Sequence, residues 1–234
     1  MSSRLASFHG PSTPSSSPVA KQKNHPSSPS QSSAAESPYH RKTRTLLFEI
    51  KALTEAWDDL IVLDGLRSAR SLVDCRTELD NDLGRVPQGS LPRSVVVSPR
   101  LEAAEKHIAD LDTLLVKLNK TFRRLNTILE SLEALLSDAS KTKGWKWCVE
   151  EPLWTTWPLE KFVTSLPTLL PPYHRSLHAY VDLVETLRSH DLVFEDAKEA
   201  LTAWAAQSDL KGVSWEECWE DLCKVEVERW GKGK

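Results

Sequence analysis

Apolar residues return every three or four positions along most of this chain, and that rhythm predicts helices. Leu46, Ile50, Leu53, Trp57 and Leu60 form one stripe, which weakens after Asp64-Gly65 and resumes with Leu72, Val73, Leu79 and Leu83. The spacing predicts a long helix over about residues 44–84, bent near Gly65. "GRVPQGSLPRSVVVSPR" reads as a loop by its Gly and Pro content, and its "SVVV" is too short to build a sheet. Ser98-Pro99 predicts the next helix start, since Ser is a preferred N-cap and Pro is preorganised for the first helical position. Leu101, Ala104, Ile108, Leu111, Leu115, Leu118, Phe122, Leu125, Leu129, Leu132 and Leu136 then alternate three, four, three, four. That is the seam of a coiled coil over about residues 99–140. Such a helix is roughly 60 Å long.

An apolar seam of that length needs cover. The first long helix lies one loop away, so an intramolecular antiparallel hairpin is the simplest solution. Leu114, Ile128 and Leu135 widen the face beyond a strict seam, which predicts a further partner there, either the C-terminal helices or another chain. After the second helix comes a Trp-rich joint, residues 141–158, with Trp145, Trp147, Trp154 and Trp157. Pro158 opens the helix "PLEKFVTSL", which Pro167, Pro171 and Pro172 then interrupt. "YHRSLHAYVDLVETLRSH" carries Leu177, Tyr180, Val181, Val184 and Leu187 on one side; "FEDAKEALTAWAAQS" presents Leu201, Trp204 and Ala205. "SWEECWEDLCKVEVERW" opens with a capping box, Ser214 and Glu217, and lines Trp215, Trp219, Leu222 and Val225 along its inner side. The expected fold is therefore all-α: a long antiparallel helical hairpin with shorter helices, residues 159–230, packed at or along it. Together these make a helical domain over residues 44–230.

Composition changes the picture at the N-terminus. Residues 1–43 are rich in Ser and Pro and poor in large aliphatics, so they predict a disordered tail. Four proline-directed hydroxyls in it, Thr13, Ser17, Ser28 and Ser37, are candidate phosphorylation sites, with Lys21, Lys23, Arg41, Lys42 and Arg44 nearby to receive a phosphate. The segment has no apolar core of a secretory signal, and nowhere is there an apolar run long enough to span a membrane. A net charge of −3 and scattered basic residues argue against direct nucleic-acid binding.

Chemistry is sparse. Gly is scarce, at eight residues, and no phosphate-cradling loop occurs. There is no HExxH, no GxSxG and no nucleophilic Cys signature. His174 and His178 share a helix face but have no third ligand in a recognisable pattern, and Cys75, Cys148, Cys218 and Cys223 form no CxxC pair. Reduced, buried thiols are expected. No cofactor and no metal are expected, and the chain reads as non-enzymatic.

Nine Trp is many for a thin helical core. Trp157 is expected to plug the end of the hairpin, with Pro158 fixing the turn and the indole N–H reaching a turn carbonyl. Trp145, Trp147 and Trp154 are expected nearer the surface, and these three with Trp157 and Pro158 are the joint's candidate anchors for another protein, a role in which Trp is enriched.

Three patterns occur in order: "EAWDDLIVLDGLRSA", "PLWTTWPLEKFVTSLPTLLPPYHRSL" around Thr156-Trp157-Pro158, and "EALTAWAAQSDL" before an acidic stretch ending near Trp230. In this order, over roughly residues 46–230, they resemble the cyclin-dependent kinase 2-interacting protein family. Trp145, Trp147, Trp215 and Trp219 are additional to the family pattern. The resemblance implies a nuclear adaptor, also found in the cytoplasm, linked to DNA replication, checkpoint signalling and cell-cycle kinases. It further implies partners: a second small coiled-coil subunit and a AAA+ ATPase that remodels replication factors and maturing large ribosomal subunits. A structural coiled-coil subunit of a kinetochore or tethering complex is the alternative.

Overall fold

The computed structural model describes residues 36–87, 89–91, 93–189, 191–210, 222 and 226. The long regular elements among them are helices: α1 (Pro38–Asp59), a π-helical turn (Leu60–Gly65), α2 (Leu66–Gly84), α3 (Ser94–Lys143), α4 (Trp145–Glu150), α5 (Leu159–Ser165), a 3₁₀ turn (Leu166–Leu169), α6 (Leu170–Arg188) and α7 (Phe194–Ala206). The fold is all-α, as the periodicity predicts. Residues 1–35, with Thr13, Ser17 and Ser28, lie outside the described residues, as does the predicted last helix except Leu222 and Glu226.

α1 begins earlier than its apolar stripe suggests, at Pro38 instead of about residue 44. Ser37 is the N-cap: its hydroxyl accepts from the His40 N–H at 3.4 Å, and Pro38 sits where its missing N–H costs nothing. Tyr39 and Thr43 are buried. α3 also starts early, at Ser94 instead of Pro99. Pro99 removes only the hydrogen bond to the Val95 carbonyl, close to the helix start, and Val95 is exposed to water. At 50 residues α3 is about 75 Å long.

Pairs between the first helices and α3 fix their direction. The Tyr39 hydroxyl donates to Asp138 at 3.1 Å, Glu49 pairs with Arg124, Asp64 faces Lys117 at 3.9 Å, and Glu78 pairs with Arg100. Numbers rise on one arm of the hairpin as they fall on the other, so the two run antiparallel.

The buried face of α3 follows Ala104, Leu111, Leu118, Leu125, Leu132 and Ala139, one residue in seven, joined by Leu114, Ile128, Leu129 and Leu135. Leu101 is exposed, and Ile108, Leu115, Phe122 and Leu136 are only partly buried. The face is rotated from a strict coiled-coil seam because α3 also packs against α5 and α6. Leu114 and Ile128 are thus covered within the chain, and Leu135 keeps only 6% of its surface exposed.

Near Gly65, where the apolar stripe weakens, the chain passes through a π turn. Leu66 N–H reaches back five residues to the Ile61 carbonyl, and the Trp204 indole N–H donates to the same carbonyl at 3.1 Å. The Tyr180 hydroxyl donates to the Trp204 carbonyl at 3.2 Å, with the two rings 4.8 Å apart. One buried tryptophan therefore ties α7 to α6 and to the first hairpin arm. Pro167 falls in the 3₁₀ turn, and Pro171 and Pro172 fall in the first turn of α6, so these prolines mark joins.

Candidate partner-docking joint

Gly144 ends α3 at φ +90°, a conformation that L side chains rarely adopt. α4 comes next, then a tight loop in which Leu153 N–H donates to the Trp157 carbonyl at 2.9 Å and Pro152 pairs with Pro158. This closure turns three successive N–H groups to one side. Those of Thr155, Thr156 and Trp157 donate to the Glu226 carboxylate at 3.0, 3.0 and 3.4 Å, and the Thr156 hydroxyl donates to it as well. The loop is a nest for one anion, filled by the chain's own C-terminal region. Burial opposes the charge on Glu226, but the Thr156 hydroxyl and the three N–H groups outweigh it and hold the carboxyl below its ordinary value.

Trp154 is buried, against expectation. It meets His40 edge-on at 5.8 Å and Phe162 at 5.7 Å, and the Arg44 guanidinium lies 5.7 Å from its ring centre. The early start of α1 supplies both His40 and Arg44, which is why the sequence stripe did not reveal this burial. Its indole N–H has no hydrogen-bond partner among the described residues. The turn carbonyl role expected for the joint falls to Trp204. Trp157 is only half-buried, with Phe162 at 5.2 Å and the Lys161 ammonium 4.3 Å from its ring centre. Pro158 is half-buried and caps α5. Trp147 is half-buried on Tyr39, 5.8 Å away.

Trp145 differs from all of these. It is 59% exposed, at the first position of α4, directly after Gly144. Lys146 and Glu150 pair beside it at 3.6 Å. The joint is thus a platform made by the start of α1, the end of α3, α4, α5 and Glu226, with one indole standing out from it.

His40 is half-buried, and burial pushes its imidazole below its ordinary value, with Arg44 adding to the effect and the Leu153 backbone and Glu36 opposing it. Sequence reasoning missed His40 and Glu226, because the residues they touch lie far along the chain. Burial raises the thiols of Cys75 and Cys148. On α6, the His174 and His178 Nε2 atoms are 3.3 Å apart. Among the described residues no group of three or more His, Cys, Asp and Glu side chains is placed to hold a metal. No described helix is long and apolar enough to cross a membrane.

No protein-family model matches the chain, and no curated protein shows significant similarity to it.

Proposed function

We propose that this chain is a non-enzymatic adaptor subunit of a nuclear multi-protein assembly, of the kind the cyclin-dependent kinase 2-interacting protein family represents. Its partners are a small helical subunit and a AAA+ ATPase acting on replication factors or maturing large ribosomal subunits. A cell-cycle kinase would act on Thr13, Ser17, Ser28 or Ser37.

One observation carries the reading: Trp145 is exposed on a joint whose other tryptophans are half-buried or buried. Burying the rest of that ring against a partner would contribute on the order of 2 kcal/mol. The hydrogen bonds and ring contacts within the joint lower the ordering cost of docking there. The alternative, a self-associating rod, needs an apolar seam free for a second copy, and the α3 seam at Leu111, Leu118, Leu125 and Leu132 is covered within the chain.

The test is affinity purification of the tagged full chain from its native organism, with mass spectrometry of the proteins that stay bound. A AAA+ ATPase together with a second small helical protein supports the proposal. The chain alone, or kinetochore or tethering subunits only, sinks it.

A further inference from the structure

The α1–α3 pair has two sides. On one, α6 covers it: Tyr173 meets Trp57 edge-on at 5.1 Å, and His174 lies 5.5 Å from Phe122. On the other, a groove runs along the pair, lined among the described residues only by α1, the π turn and α3. It has two hollows. One, of about 680 Å³, has Leu53, Ala56, Leu60 and Leu63 in its lining. The other, of about 560 Å³, has Leu46, Ala134 and Leu135. The Glu49–Arg124 pair crosses between them. On α3 the lining runs from Lys117 to Asp138, a span of about 32 Å, the length of a helix of about twenty residues. Small side chains on that wall, Thr127, Ser131 and Ala134, let a helix axis approach closely.

Charge selects the occupant. The chain carries a net −3, yet Arg41, Lys42, Lys120 and Arg123 line this groove and make no ion pair with any described residue. Of the acids lining it, Asp64 is held by Lys117 and Asp138 accepts from Tyr39, leaving Asp59. Leu63 is 52% exposed at the Lys117 end of this surface. A second copy would bring an equally basic groove, so a symmetric pairing face to face is opposed by like charges.

We infer that the open α1–α3 groove docks one acidic amphipathic helix of a partner protein. Its apolar residues, at i, i+3 or i+4, and i+7, would fill the leucine hollows, and its Asp and Glu would face Lys42, Lys120 and Arg123. The inference rests on the adaptor reading and gives the adaptor a second surface, distinct from the Trp joint.

The test places a benzophenone-bearing amino acid at Leu63, or separately at Trp145, in the full chain in its native cells. Cross-linked peptides are sequenced by mass spectrometry, with and without Lys120→Glu and Arg123→Glu together. Both substitutions are on exposed side chains and should leave the Tm unchanged. The expected result at position 63 is an adduct on a segment with acidic and apolar residues at helical spacing, reduced tenfold or more by the charge reversal. An adduct on a basic or non-helical segment, on a second copy of this chain or on nucleic acid would overturn the proposal. So would an adduct insensitive to the reversal, or none at all. If position 63 gives none while position 145 still captures a protein, the groove is wrong and the adaptor reading stands. Silence at both positions defeats both.

Discussion

Trp204 stands so close to Gly65 that a Cβ there would lie 2.6 Å from its ring and 2.7 Å from Leu114 Cδ2. Gly65 has an ordinary helical backbone, φ −67° and ψ −51°. Gly→Ala in an unstrained helix normally stabilises by about 1 kcal/mol. Here contact with two buried side chains reverses the sign. Gly65→Ala should destabilise by about 1–3 kcal/mol, the range for overpacking. Urea unfolding of wild type and variant measures it; an Ala variant as stable as wild type would remove the close packing from the account.

Trp204 itself separates two contributions. Trp204→Phe loses the indole N–H, but the Ile61 carbonyl keeps its bond from Leu66, so no buried acceptor is orphaned. Its hydrogen-bond loss should be about 1 kcal/mol, plus a modest term for the smaller ring. Trp204→Ala also opens a cavity and should cost about 3–5 kcal/mol. Chemical denaturation of the two side by side checks the order.

Glu226 closes the joint from seventy residues away in sequence. Glu226→Gln keeps the shape but turns an amide N–H₂ toward N–H donors. The loss of charge-assisted hydrogen bonds should cost about 1.5–3 kcal/mol. Because the carboxyl is held below its ordinary 4.5, its contribution is present above that pH and is lost as pH falls through the folded value. The stability gap between wild type and Glu226→Gln should therefore narrow below about pH 4.5. Hydrogen exchange at the amides of Thr155, Thr156 and Trp157 should quicken in the variant.

His40 titrates in a different window. Its folded-state value is depressed below 6.5, chiefly by burial, so the unfolded chain binds the proton more readily. Stability on this account is full above about pH 6.5 and is lost as pH falls below it. His40→Gln cannot titrate, and its Tm should fall less than that of wild type between about pH 7 and pH 5.5. Parallel melting curves across that range give the comparison.

The helices were legible because their periodicity is local. The seam read from Leu101 to Leu136 contains the buried Ala104, Leu111, Leu118, Leu125 and Leu132, and the weakening after Gly65 falls at the π turn. The rotation of the α3 face toward Leu114, Ile128 and Leu135 was not, because it depends on where α5 and α6 pack. Ser37-Pro38 reads as a kinase target inside a Ser/Pro-rich stretch, yet the same dipeptide is a helix cap. Composition hid the earlier start, and with it Tyr39, His40 and Arg44. That in turn reversed the expected order of Trp154 and Trp157. The Trp cluster was visible as a joint, but which ring is covered depends on contacts from α1 and Glu226. Of the three indoles expected nearer the surface, Trp145 alone is largely exposed, beyond a glycine that ends α3.

Trp145 is the most direct handle on the adaptor proposal. Tagged full-length wild type and Trp145→Ala, expressed at equal levels in the native organism, would be purified and their bound proteins quantified by isotope-labelled mass spectrometry. Truncating an exposed ring should change stability by no more than about 0.5 kcal/mol, as for surface positions generally. The account predicts that the variant loses tenfold or more of its co-purifying helical subunit or ATPase at unchanged Tm. Equal recovery from both, or no such proteins with either, would contradict it.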